Sequence, residues 1–252
     1  MKLYFSVILK NIQAVVDPRK FPFAPMEFLH YVRDIKGFKK EYAGSYPVKL
    51  LPIFFEKTKK STFDPHYVYQ AYWATKRITQ KKMPNYHVDI SSNISFLTQL
   101  SAILPVIQLE YRPPSIKLSA CNQLCGNILN LPFSDQSLQS VSCLHVIEHI
   151  GLGRYGDPLK IDGCWNALSE LQRILAPNGN LFLSVPVGQP AVYFNANYIF
   201  NALDIRKSLA DLELVEFSFV DDEGNFYEHG IMEDTFSMKY ALGLFHFRGT
   251  KN

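Results

Sequence analysis

The residues best suited to chemistry are concentrated in one short stretch, His145-Val146-Ile147-Glu148-His149-Ile150-Gly151-Leu152-Gly153-Arg154-Tyr155-Gly156-Asp157. Imidazole titrates near neutrality, so His145 and His149 are candidate bases. Glu148 can orient one of them. Arg154 can grip an anion through two parallel donors. The two histidines stand four residues apart, a spacing that also suits a metal. The glycines make the block a loop, however, and no third ligand is evident, so no metal is expected.

Three further segments carry polar groups where a ligand could use them. Asp89-Ile90-Ser91-Ser92-Asn93 lies between a short apolar run and a helical pattern. Asp89, Ser91 and Ser92 there, with the amides of the helix start, can hold an anionic or carboxylate-bearing group. Glu110 follows Asp89 by 21 residues. An acid at about that distance can accept both hydroxyl protons of a ribose. The turn Cys125-Gly126-Asn127-Ile128-Leu129 can face an adenine ring with Gly126, Asn127 and Ile128.

These segments need elements to bring them together. Asp64-Pro65 is a helix start, Asp at the cap and Pro at the first helical position, and the helix should run to about Gln80. Pro84 breaks the chain, and from His87 strands and helices alternate. Strands are expected at His87–Ser91, Val106–Tyr111, Ser140–Val146, Asn180–Val185, Leu212–Val220 and Leu244–Arg248. A helix over Ile94–Leu104 puts Ile94, Leu97, Leu100 and Leu104 on one face. A second, capped by Asp162 and ended by Pro177-Asn178-Gly179, faces inward with Cys164, Leu168, Leu171 and Leu175. Such alternation implies an α/β fold, a mostly parallel sheet with helices on both faces. Ligands then sit outside the carboxyl ends of the strands, where strand order reverses.

Composition sets the outer limits. The chain has 252 residues, 47% hydrophobic and 19% charged, enough for one large domain with an extension. Residues 1–85 hold 16 Lys and Arg against 6 Asp and Glu, whereas 86–252 hold 10 against 17. The basic part would attract phosphate-bearing molecules or an anionic membrane surface. We therefore divide the chain into a basic, aromatic-rich extension, 1–85, with a cap or substrate helix near 65–80, and a domain over 86–252. The apolar run Leu3–Leu9 reads as a strand or buried helix turn, not a signal peptide. No stretch is long and apolar enough to span a membrane. The spacing of the four cysteines fits no common zinc or redox motif, as expected of reduced thiols in a cytoplasmic protein.

The runs SVSCLHVIEH and ALSELQRILAPNGNLFLSVP resemble the central strand, helix and following strand of class I S-adenosylmethionine-dependent methyltransferases. HVIEHIGLGRYGD, HVDISS and EYRP more closely resemble the family catalogued as domain of unknown function 268. That resemblance spans roughly residues 62–250. It implies a three-layer Rossmann-like sheet with a final antiparallel strand, and S-adenosylmethionine as cofactor. Asp89, Ser91, Ser92, Glu110, Gly126, Asn127, Ile128 and His145 would hold it. Two departures accompany it. The usual Asp/Glu-x-Gly-x-Gly loop reads Asp89-Ile90-Ser91-Ser92-Asn93, without glycine. The acid that usually begins the next strand, after Ser-Phe, is lost, the run here reading Ser137-Leu138-Gln139.

In this setting His145, Glu148, His149 and Arg154 are the expected catalytic set, His145 or His149 acting as base for a hydroxyl acceptor. The acceptor is expected to be a small molecule, a sugar, glycan precursor or phosphorylated compound. Nucleic acid is not expected, because no recognised nucleic-acid module is present. A non-catalytic binding protein with a degenerate cofactor loop is the alternative. A nicotinamide oxidoreductase is disfavoured by the missing Gly-x-Gly-x-x-Gly.

Overall fold

The computed structural model describes residues 20–57, 59, 61–80 and 83–250. The apolar run Leu3–Leu9 lies outside them. Compact packing separates the residues up to Thr62 from those beginning at Phe63. The first unit contains helix α1, Ala24–Glu41. Within it Lys57 Nζ donates to Asp34 Oδ2 at 2.5 Å and Phe55 N to Glu27 Oε2 at 3.3 Å.

The second unit opens with α2, Pro65–Thr79. Asp64 caps it as its sequence implies, Oδ1 accepting from the amides of His66 and Tyr67 at 3.0 and 3.4 Å. The helix does not stand apart with residues 1–62. Trp73 and Ala74 are fully buried and Ile78 nearly so. They pack with Phe96, Leu97 and Leu100 against Leu144, Phe182 and Leu244. The compositional break at residue 85 thus falls after a helix that the domain's core already includes.

Among the described residues ten strands follow: β1 His87–Ile90, β2 Val106–Glu110, β3 Cys121–Cys125, β4 Leu138–Leu144, β5 Leu175–Val187, β6 Ala191–Tyr193, β7 Asn197–Ile199, β8 Leu212–Val220, β9 Phe226–Tyr227 and β10 Ala241–Gly249. Eight form one sheet in the order β3-β2-β1-β4-β5-β10-β8-β9, and β6 pairs with β7 separately. From β3 to β5 all pairings are parallel. β10 inserts antiparallel between β5 and β8, the final antiparallel strand expected from the sequence. The remaining helices are α3 Ile94–Ser101, α4 Gly163–Ile174 and α5 Ala202–Ser208. α2 and α3 cover one face of the sheet. α4 and α5 cover the other through Cys164, Leu168, Leu171 and Ile205. The result is the expected three-layer α/β sandwich.

Several boundaries move for identifiable reasons. α3 stops at Ser101, and Ile94 at its start is 43% exposed rather than inward. β4 stops at Leu144, because His145 takes φ +59° and leaves the strand. α4 ends at Ile174, and Asp162 makes no side-chain cap bond. Leu175 already pairs with Leu138. The turn through Asn178, at φ +60°, is therefore an irregularity inside β5, not the stop of a helix.

Candidate active site

Neighbouring β1 leads on one side to β2 and on the other to β4, so strand order reverses beside it. A cavity of about 350 Å³ opens there, outside the carboxyl ends of these strands. Ser91, Glu110, Gly126, Asn127, Ile128 and His145 all line it. Segments up to 54 residues apart in the chain thus share one pocket, as their strand-end positions imply.

The loop after β1 turns without glycine because Ser91 itself adopts the left-handed conformation, φ +57°. That conformation costs an L-residue roughly 1–2 kcal/mol. Ser91 Oγ donates to the carbonyl of Leu109 at 3.2 Å, tying the loop to β2. Asn93 then caps α3, its Oδ1 accepting from Ser95 N at 2.8 Å.

Asp89 and Ser92 do not line the cavity, contrary to the direct role expected of them. Both are buried below the loop, Asp89 fully. Asp89 Oδ1 accepts from Ser92 N at 2.9 Å and Oδ2 from Ser142 Oγ at 2.5 Å. Ser92 Oγ accepts from Leu144 N at 2.9 Å, clamping the loop to β4. His87 bridges Ser140 and Ser142 at 2.7 and 2.8 Å. Burial raises the Asp89 carboxyl to about 6 and lowers the His87 imidazole to about 3. The row is a polar support under the pocket floor.

Glu110 ends β2 and stabilises its own turn, Oε1 accepting from the amides of Tyr111 and Arg112 at 2.8 and 3.4 Å. Asn127 does likewise, Oδ1 accepting from Leu129 N at 2.9 Å. Gly126 lies so close to Leu109 that an added Cβ would stand 2.8 Å from its Cδ1.

His145 and His149 line the cavity, and Glu148 and Arg154 adjoin their rings. The 3₁₀ turn Ile147–His149 aims the fully buried Glu148 at both rings. Glu148 Oε1 pairs with His145 Nδ1 and lies 3.6 Å from His149 Nε2. His149 Nδ1 and Arg154 Nη1 both donate to the carbonyl of Ala196, at 2.7 and 3.1 Å. Burial holds the His149 pKa below its usual value. A bulky residue at positive φ, as His145 is, stores strain that clusters at functional sites.

Sequence reading missed two members of this group. His66, in the first turn of α2, places Nδ1 3.2 Å from His145 Nε2. Tyr240 stacks on His66, centroids 5.3 Å apart, and burial raises its hydroxyl to about 12. The Asp64-Pro65 start fixes His66 at a helix N-terminus, but nothing local reveals that this terminus meets β4. Tyr67, the next residue of α2, stacks on His145 at 5.4 Å. Tyr69 and Tyr72 turn instead to Phe226, and Trp73 is core.

The glycines of the GLGRYGD segment serve its backbone. Gly151 has φ +86°, and a Cβ there would stand 2.1 Å from the Lys160 carbonyl oxygen. Asp157 braces the same loop, accepting from Gly151 N and Tyr155 N at 3.3 and 3.1 Å.

A parallel sheet closed by an inserted antiparallel strand, with its cavity at the strand-order reversal, is the fold of class I methyltransferases. Solved structures show the same likeness. One is N-methyltransferase NodS from Bradyrhizobium japonicum, bound to S-adenosylhomocysteine, at TM-score 0.53 and 14% identity. The match covers 86% of this chain and 98% of that one. Another is a structure of the Haloferax volcanii complex that contains the Trm112 methyltransferase activator, at TM-score 0.53 and 15% identity over 90% and 97% of the two chains. Geranyl diphosphate C-methyltransferase from Streptomyces coelicolor matches at TM-score 0.52 and 12% identity over 72% and 75%.

Residues 130–229 match the family described as Caenorhabditis protein of unknown function, DUF268. This is the family that the HVIEHIGLGRYGD block resembles; HVDISS and EYRP lie outside the matched segment. An uncharacterized protein of Methanocaldococcus jannaschii is 38% identical over 63 residues, 25% of this chain and 23% of that protein. No described helix is long and apolar enough to cross a membrane.

Proposed function

We propose that this protein is an S-adenosylmethionine-dependent methyltransferase acting on a small acceptor, a sugar or glycan-precursor hydroxyl, in the cytoplasm. The observation that carries the reading is the single cavity lined by Ser91, Glu110, Asn127, Ile128 and His145. Its residues fit the cofactor part by part. Glu110 supplies a carboxylate for the ribose hydroxyls, and the Gly126–Ile128 turn a flat apolar and amide surface for adenine. The Ser91 turn, braced from below by Asp89, presents backbone to the amino-acid portion. Left-handed Ser91 makes the turn that glycine usually makes, which favours a working loop over a degenerate one. The bound cofactor would supply an electrophilic methyl group on a sulfonium.

This chain's own residues would align the acceptor and remove its proton. Arg154 stands within reach of the rim and suits a phosphorylated or strongly polar acceptor. Supporting the choice of a small acceptor, the rim is built of compact imidazole, phenol and guanidinium groups.

Calorimetric titration with S-adenosylmethionine and separately with NAD tests the cofactor. Incubation with methyl-labelled S-adenosylmethionine and a panel of nucleotide sugars tests the acceptor. We expect binding of the first cofactor alone, and label transfer to a sugar. No binding at millimolar S-adenosylmethionine would establish the alternative, a non-catalytic binding protein on this fold.

A further inference from the structure

We infer that helix α1 is a membrane-docking surface, which seats the chain on an anionic phospholipid bilayer. Its apolar side chains enter the interface and its lysines meet the headgroups. This goes beyond the reading above and needs neither a bound cofactor nor methyl transfer.

The first unit has no core of its own. None of its described residues is buried, and the two buried hydrophobic clusters draw on nothing before Tyr69. Yet Phe21, Phe23, Met26, Phe28, Leu29 and Phe38 are each more than half exposed. They lie on α1 and on the 3₁₀ turn Phe21–Phe23 before it. A lone exposed apolar residue is ordinary, but a run of them marks a face that another body covers.

The layout of α1 suits a bilayer. Helical residues 7, 8 or 11 positions apart share a face. Phe28 and Leu29 therefore share theirs with Lys36, Lys39 and Lys40, all exposed. That face is apolar in the first half of the helix and basic in the second. Glu27 and Asp34 share the opposite side and are engaged within the unit. Glu27 Oε2 accepts from Phe55 N at 3.3 Å, and Asp34 Oδ2 from Lys57 Nζ at 2.5 Å. Residues 20–62 hold 9 Lys and Arg against 4 Asp and Glu.

An anionic leaflet attracts such a segment, and each lysine near the surface adds to the hold. The acyl boundary beneath the headgroups takes up phenylalanine, leucine and methionine. A nucleic acid is served by arginine and by rings that stack on bases, and the exposed Met26 and Leu29 supply neither. With lysines on its face, α1 lies in the interface plane and does not cross the bilayer.

Sedimentation of the full chain with vesicles tests this, using phosphatidylcholine alone and its equimolar mixture with phosphatidylserine. We expect binding to the mixed vesicles and far weaker binding to the neutral ones. Phe28→Ser with Leu29→Ser should lower the partition coefficient about 10- to 100-fold. Lys36→Gln, Lys39→Gln and Lys40→Gln together should lower it about 100-fold. These side chains are all exposed, and an unchanged near-ultraviolet signal and urea transition checks the fold of each variant. Phe28→Trp reads the contact directly. Lipid with brominated acyl chains should quench the indole at position 28 beyond any loss seen in wild type, whose Trp73 is fully buried and whose Trp165 is 36% exposed. A full chain that stays in solution beside mixed vesicles would overturn the docking. So would binding that survives the Phe28→Ser and Leu29→Ser pair, or binding of equal strength to neutral vesicles. Self-association that the same pair abolishes, without vesicle binding, would overturn it in favour of a contact between copies of the chain.

Discussion

Asp89 holds the cavity loop through Ser92, its Oδ1 accepting the Ser92 amide at 2.9 Å from beneath the pocket. The acid that a sequence pattern marks for ligand contact is thus a brace. Its burial makes it a reporter of folding. The folded pKa, about 6, stands above the usual 3.8. A carboxyl raised in this way stabilises the fold fully below about pH 4, and the contribution is lost as pH rises through about 6. Two pKa units correspond to about 3 kcal/mol. Urea titrations from pH 4 to 7.5 should show the advantage of wild type over Asp89→Asn shrinking by that order. Parallel stability curves for the two proteins would refute it.

Glu110 ends a strand whose turn it also stabilises, so two variants are needed. Glu110→Ala should weaken S-adenosylmethionine binding by about 1–3 kcal/mol, the loss on removing a charged hydrogen-bonding partner. Glu110→Gln keeps an oxygen for the Tyr111 amide but loses the charge, and should weaken binding by a smaller amount in the same direction. Calorimetry reads both. Unchanged affinity in folded Glu110→Ala would remove the ribose assignment.

The polar pocket was readable in advance to an unusual degree, because strand ends are set by hydrophobic runs. Ser91, Glu110 and His145 each follow such a run, so a parallel sheet had to bring them to one edge. Asp89 misses the pocket because alternation along β1 turns it downward, a matter of one residue. β3 gave no signal: CNQLC is a mostly exposed edge strand without an apolar face. The β6–β7 hairpin has strands of three residues, too short for periodicity. His66 could not be placed, since its partner His145 is 79 residues away and only tertiary packing joins them.

The two glycines Gly151 and Gly156 separate backbone strain from collision. Both have positive φ, +86° and +82°. A Cβ on Gly156 meets nothing within 4 Å, so Gly156→Ala should cost only the conformational penalty, roughly 1–2 kcal/mol. A Cβ on Gly151 would stand 2.1 Å from the Lys160 carbonyl oxygen, and backbone must move. Gly151→Ala should cost at least about 3 kcal/mol. Equal denaturant midpoints for the two variants would refute the distinction.

Where the sheet domain begins is a matter of energy as much as of composition. Charge and texture change near residue 85, yet α2 carries a fully buried Trp73 whose Nε1 donates to Glu216 Oε1 at 3.2 Å. Arg77 pairs with the same carboxylate, Nη2 to Oε1 at 2.6 Å, with its side chain 6% exposed. Gln70 accepts from Ser184 in the sheet at 2.7 Å. Losing a buried Trp alone costs about 3–5 kcal/mol. Removing the helix also bares the apolar surface of Leu144, Phe182 and Leu244 that it covers, which adds to that cost. Together these approach the whole stability of an ordinary domain, about 5–15 kcal/mol. A fragment of residues 63–252 should therefore unfold cooperatively in urea with intact near-ultraviolet circular dichroism. A fragment of residues 86–252 should show a broad transition and a collapsed near-ultraviolet signal. A sharp, wild-type-like transition in the shorter fragment would make α2 an attachment to the domain and restore the boundary to residue 85.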